Sequence, residues 1–153
     1  MPLLYSFGKL SFEEVWQFLI ETNDEFPIPL SLHVDIDAYA RKLSTFSDFS
    51  ICRNQEEIVG MISCYTNNPP TGYISNVCVK REFQGKGVLS KLFRLLVVKG
   101  IEKGINTVRL EVDENNAKAL NVYNHLGFHL VETRKDRNKL LLECTISHLP
   151  IDS

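Results

Sequence analysis

Tyr73-Ile74-Ser75-Asn76-Val77-Cys78-Val79-Lys80-Arg81-Glu82-Phe83-Gln84-Gly85-Lys86-Gly87-Val88-Leu89-Ser90 is the stretch on which the reading of this chain turns. Tyr73 to Lys80, with Ile74 and the apolar run Val77-Cys78-Val79, reads as a strand. It feeds straight into a loop with two glycines. Beyond the loop, Val88, Leu89, Leu92, Phe93, Leu96 and Val97 recur at helical spacing, and Gly104 closes that helix after Lys99 and Lys103. Such a junction invites an anion, because a helix start has unpaired N–H groups and partial positive charge, and glycine lets a phosphate approach the backbone. Gly85-x-Gly87 alone reads equally well as a connecting turn. Lys80, Arg81, Lys86 and Lys91 gather at this point, either as a basic cluster or as a solvated face.

Two familiar phosphate loops do not fit. A P-loop needs a lysine followed by Ser or Thr after its second glycine, and Gly85-Lys86-Gly87-Val88 supplies neither the spacing nor the hydroxyl. A Rossmann loop needs a third glycine where Ser90 stands, although Glu111 at the end of the next strand mimics its ribose-binding acid.

Upstream, Ser11-Phe12-Glu13-Glu14 has the form of a capping box, and Val15, Phe18 and Leu19 follow at helical spacing, which predicts a helix to about Thr22. After a break at Pro27 and Pro29, Ile36, Tyr39, Ala40 and Leu43 predict a second helix over Asp35 to Ser44. Phe49 to Arg53 and Ile58 to Thr66 read as a hairpin around Asn54-Gln55-Glu56-Glu57, and Asn67 to Gly72 as the next turn. Downstream come a strand at Thr107 to Val112, a helix from Ala117 to Leu126 ended by Gly127, and strands at His129 to Lys135 and Lys139 to Ile146. The expected order is β-α-α-β-β-β-α-β-α-β-β. It gives a single α/β (α+β) domain over 1–153, a mixed sheet flanked by helices, antiparallel early and parallel where strand, helix and strand cross over between Tyr73 and Val112.

The 153 residues, 44% hydrophobic and 24% charged, suffice for one core without disulfides or a structural metal, since a domain of this size buries roughly 70% of its unfolded surface. A net charge of −2 argues against a nucleic-acid or membrane-surface binder. Cys52, Cys64, Cys78 and Cys144 lie in apolar runs with no ligand spacing and read as reduced, buried and structural. Met1-Pro2-Leu3-Leu4-Tyr5 lacks a signal-type pattern, so the expectation is a soluble cytoplasmic protein, monomer or homodimer, with no metal.

The loop and the segment after it together resemble the GNAT superfamily of N-acetyltransferases, whose cofactor loop reads Gln/Arg-x-x-Gly-x-Gly/Ala directly after a strand. Gln84-Gly85-Lys86-Gly87-Val88 is similar to that loop, and Leu89 departs from it where family members carry Gly or Ala. The second block, Leu110-Glu111-Val112, then Asn116, Ala119, Tyr123 and Gly127-Phe128, stands in the family's order and spacing. The resemblance implies a GNAT-like fold and acetyl-CoA as cosubstrate. Backbone groups of Val77, Cys78 and Val79 would face the pantetheine arm, and the amides of Gly85, Lys86, Gly87, Val88, Leu89 and Ser90, after Gln84, would hold the pyrophosphate. Asn116 and Ala119 would lie on the far side of the arm. Tyr123 matches the position that protonates the departing thiolate, a role open to an ordinary tyrosine of pKa about 10. Glu111 is the nearest carboxylate for a base, against the plainer reading of an acid paired with Arg109 or Arg134. His125 and His129 read as structural.

The acceptor implied is a primary amine of a small molecule or a peptide. The first two helices and the loops near Asn67 to Gly72 and the C-terminal hairpin would build its groove, with Asp24, Glu25, Asp35 and Asp37 available to a cation. A non-catalytic acyl-CoA sensor or interaction module is the alternative, and Tyr123 speaks against it.

Overall fold

The computed structural model of the chain describes residues 2–25, 29–32 and 34–146, so Pro27 of the expected break lies outside the described residues. The elements follow the expected order: β1 Leu4–Gly8, α1 Phe12–Glu21, α2 Ile36–Phe46, β2 Asp48–Asn54, β3 Glu57–Tyr65, β4 Thr71–Val79, α3 Val88–Glu102, β5 Thr107–Asp113, α4 Ala117–Leu126, β6 His129–Arg134 and β7 Lys139–Thr145. Two 3₁₀ turns, Asn23–Glu25 and Leu30–Leu32, occupy the segment between α1 and α2 that had read as loop.

Local chemistry sets the helix starts. The Ser11 hydroxyl accepts from the Glu14 amide at 3.2 Å while the Glu14 carboxylate accepts from the Ser11 amide at 3.1 Å, a reciprocal cap worth about 1 kcal/mol. Asp35 caps α2 by accepting from the Ala38 amide. That helix runs past Ser44 to Phe46, because the Ser44 hydroxyl bonds back to the Arg41 carbonyl instead of ending the helix. β4 starts two residues before Tyr73, at Thr71, because Thr71 and Gly72 pair with Thr107 and Val108 of β5, a partnership no local pattern announces.

The seven strands form one sheet in the order β1-β2-β3-β4-β5-β7-β6. β4 and β5 are parallel and every other neighbouring pair is antiparallel. α1 and α2 cover one face around Val15, Phe18, Leu19, Leu43, Phe49 and Met61. α3 and α4 lie on the other, where Leu92, Phe93, Leu96 and Val97 pack on Val59, Ile62, Ile74 and Val108. Gly60 permits the close approach of α3: a Cβ there would meet Val88 Cγ1 at 3.2 Å and Leu92 Cδ1 at 3.3 Å. All four cysteines are free and buried, and no helix among the described residues is long and apolar enough to cross a membrane.

Candidate active site

The parallel pairing of β4 with β5 runs from Thr71 opposite Thr107 to Ile74 opposite Leu110 and stops. Two features end it. Against β3, Ser63 pairs with Asn76 and Cys64 with Ile74, so Ser75 is an extra residue, a bulge that bends β4. Glu111, Val112 and Asp113 meanwhile stay paired with β7. The strands diverge, and the edge of Ser75 to Val79 facing the wedge has no strand partner among the described residues, leaving backbone donors and acceptors for an extended ligand. Val77 is half-buried, and Cys78 and Val79 are buried, so these residues offer a ligand mainly main chain.

At the wide end of the wedge, Gly85 and Gly87 adopt φ of 77° and 79°, with nothing within 4 Å of where a Cβ would stand. Gly87 is the N-cap of α3 and supplies no side chain to the first turn. The Val88, Leu89 and Ser90 amides therefore have no helical acceptor, which makes this loop a candidate anion cradle. Leu89, at the family's Gly or Ala position, packs half-buried on the core.

The expected basic cluster is corrected at one residue. Lys80 is buried and reaches the opposite sheet face, with Nζ 2.5 Å from Glu21 and 2.8 Å from Glu57, so it belongs to the fold and not to the cradle. Burial alone would lower the Lys80 pKa; the two carboxylates outweigh that and raise it. Lys86 lies over the Phe83 ring and Lys91 over Tyr5.

Gln84 links the two sides. Its Nε2 donates to the Val79 carbonyl at 2.9 Å and its Oε1 accepts from Lys118 of α4 at 3.1 Å. Asn116 caps α4, its Oδ1 accepting from the Ala119 amide at 3.1 Å. One turn beyond Ala119, the Tyr123 ring sits edge-on to Phe128 at 5.6 Å and Phe93 at 6.5 Å. Burial, and second the nearby Cys78, push the Tyr123 hydroxyl up to about 12. Cys78 is itself pushed up to about 12, first by burial and then by the Glu25 carboxylate, so both groups carry their protons at neutral pH.

Glu111 lies at the narrow end. Arg137 donates to its Oε2 at 2.6 Å, and Arg134 Nε is 3.0 Å from the same oxygen but off-line for a hydrogen bond. Arg109 pairs instead with Glu143 at 2.8 Å. Of the acids offered for an acceptor groove, Asp35 is spent as a cap and Asp37 accepts from Trp16 Nε1 at 2.7 Å, whereas Glu25 Oε1 is buried without a partner. His125 bonds its own helix at the Asn121 carbonyl.

Sequence reasoning missed a polar cluster on the α1/α2 face of β3 and β4. Tyr39 of α2 meets the Ser75 hydroxyl at 2.5 Å and donates to the Ser75 carbonyl at 3.1 Å. Ser63 Oγ, Tyr65 Oη and Asn76 Oδ1 are buried there without partners. The available signal was Ser63 and Asn76 interrupting otherwise apolar strands.

The acetyltransferase (GNAT) family matches residues 12–128, from α1 to the end of the turn after α4. The chain belongs to that family. GCN5-related N-acetyltransferase 6, chloroplastic, of Arabidopsis thaliana is 30% identical over 97 residues, 59% of this chain and 34% of that protein. The ribosomal protein bS18-alanine N-acetyltransferase of Haemophilus ducreyi is 30% identical over 82 residues, 54% of this chain and 56% of that protein. The match thus spans about a third of the one GNAT relative and just over half of the other. A PaiA N-acetyltransferase from Thermoplasma acidophilum, in complex with coenzyme A, shares the fold at a TM-score of 0.73 and 16% identity, covering 95% of this chain and 99% of that one.

Proposed function

We propose that this GNAT domain is an N-acetyltransferase that uses acetyl-CoA to acetylate a primary amine of a small molecule or a peptide, by direct attack in a ternary complex. One observation carries the reading: β4 and β5 part after Ile74 and Leu110, leaving an unpaired β4 edge that leads to the Gly85–Gly87 turn at the start of α3. The residues of this wedge fit the cosubstrate, with two glycines leaving room at the cradle and an unpaired strand edge below it. The names of its relatives, one of them acting on a ribosomal-protein alanine, agree with an amine acceptor.

Acetyl-CoA supplies an acyl group activated as a thioester; the protein supplies orientation and protons. Amides from Gly85 to Ser90, with Gln84 bracing the loop, hold the pyrophosphate. The backbone of Val77, Cys78 and Val79 holds the pantetheine arm, and Asn116 and Ala119 border its other side. Tyr123, kept protonated by burial, donates to the departing sulfur. Glu111 takes a proton from the acceptor through water, using the oxygen that Arg134 and Arg137 leave.

Calorimetry with acetyl-CoA, followed by thiol release over a panel of amines and peptides, tests the reading. Tyr123→Phe is expected to keep acetyl-CoA binding and lower kcat by roughly 10²- to 10⁴-fold. Absence of binding would refute it, and binding without turnover for any acceptor would make the chain an acyl-CoA sensor.

A further inference from the structure

The wedge of the proposed acetyltransferase leaves its acceptor unspecified, and the α1/α2 face of the sheet narrows the choice. Asn23 ties the first 3₁₀ turn to the second, its Nδ2 donating to the Ser31 hydroxyl at 3.0 Å and its Oδ1 accepting from the Ser31 amide at 2.9 Å. Glu25 ends that first turn, with Oε1 buried and unpartnered. A carboxylate oxygen withdrawn from water without a donor is costly, so such an atom in a folded protein calls for a missing partner. Asp24 is exposed, and the other nearby acids are already used. Glu21 is paired with Lys80, Glu14 with Arg53, and Asp35 and Asp37 hold α2 and Trp16. Lys80 is shared by Glu21 and Glu57, and Lys42 lies over the Tyr65 ring, so neither cation pairs with Glu25.

Position adds to this. Met61 pairs with Cys78, Ser63 with Asn76 and Tyr65 with Tyr73, which sets all six on the face where Met61 and Cys78 pack with α1 and α2. Three buried oxygens without hydrogen-bond partners, the hydroxyls Ser63 Oγ and Tyr65 Oη, which can donate or accept, and the amide Asn76 Oδ1, thus line the same face. Asn76 is 5% exposed, and its Oδ1 can only accept. The Glu25 carboxylate raises the Cys78 pKa, so it stands near that residue of β4. A ligand suited to this face is rich in donors and positively charged, and an alkylammonium brings three N–H donors on one cation.

We infer that Glu25 is the carboxylate on which the acceptor's ammonium lands, and that with Asn76 it selects cationic primary amines over neutral ones. The inference rests on the wedge being the acetyl-transfer site. Glu25 acts before chemistry by docking the cation, and no bond is made or broken at it.

The test compares the full chain with its isosteric variant Glu25→Gln, both saturated with acetyl-CoA or, for binding alone, with CoA. The cationic probes are n-butylamine and an alanine-initiated hexapeptide amide, and the neutral probe is 4-methoxyaniline. Charge-assisted hydrogen bonds of about 1.5–3 kcal/mol predict a roughly 10- to 100-fold weaker Kd and higher KM for the cationic probes in the variant. The variant's acetyl-CoA affinity and its KM for 4-methoxyaniline are expected to change less than 3-fold. Equal Kd and KM of both proteins for the cationic probes, a loss shared by the neutral probe, or no binding of any cationic probe by the parent chain would overturn the role of Glu25. Cationic probes that bind in a Glu25-dependent way but are never acetylated would uphold the docking site and refute the proposed reaction instead.

Discussion

β3 and β6 belong to one sheet and could hardly differ more in surroundings. β3 buries every residue from Ile58 to Cys64, whereas β6 leaves all but Arg134 exposed. The helices repeat the contrast, since α3 buries six residues, Val88, Leu92, Phe93, Leu96, Val97 and Gly100, and α4 buries none. The candidate site straddles this divide. The cradle and the free strand edge stand on the densely packed half, while Tyr123, Asn116 and Glu111 stand on the thinly packed one. Four parallel residue pairs, the ring cluster of Phe93, Tyr123 and Phe128, and the Gln84–Lys118 contact join them. Elements that open for ligands are drawn from the less stable parts of a structure, and the division here puts Tyr123, the proposed proton donor, on such an element.

The largest test of that contrast is a pair of truncations. Leu92→Ala, at a fully buried site, is expected to cost about 2–5 kcal/mol in urea unfolding. Leu120→Ala, half-buried on α4, should cost roughly half as much or less. Equal losses would erase the distinction.

Alkali gives the next effect. Tyr39 on one side and Tyr123 on the other are both pushed up to about 12, chiefly by burial, with the Ser75 hydrogen bond pulling Tyr39 partly back. The folded state therefore keeps protons that the unfolded chain loses near pH 10, so this stabilisation is whole below pH 10 and disappears as pH climbs towards 12. Each tyrosine accounts for on the order of 2–3 kcal/mol of that fall. Denaturation followed against pH should show a shallower alkaline decline in Tyr39→Phe and in Tyr123→Phe.

The smallest effect is the most local. Lys118→Ala removes an exposed contact to Gln84 and should leave global stability within about 0.5 kcal/mol. Amide exchange should quicken in α4 and stay unchanged in α3. Faster exchange in both helices would mean the two halves open together.

Much of the frame was legible in local pattern. The capping box at Ser11, the stripe from Val88 to Val97 and the left-handed Gly127 closing α4 each act within a few residues, so spacing alone announces them. Gly85 and Gly87 were legible for the same reason, because positive φ at a helix start is a local demand. The direction of Lys80 was not legible: next to Arg81 and the cradle in sequence, its side chain crosses to Glu21 and Glu57, which approach only after α1 and β3 are in place. Nor was the bulge at Ser75, which exists only relative to β3.

The amino-acid order by itself determined the elements, their sequence and the glycine loop at a helix start, because periodicity, capping and backbone freedom are properties of neighbouring residues. Tertiary structure alone decided that β4 and β5 part after Ile74 and Leu110, that Glu111 is shared by two arginines, and that Glu25 keeps an oxygen without a donor. Those outcomes depend on which distant groups meet in three dimensions, since pairing, burial and charge balance are fixed by partners that lie far apart along the chain.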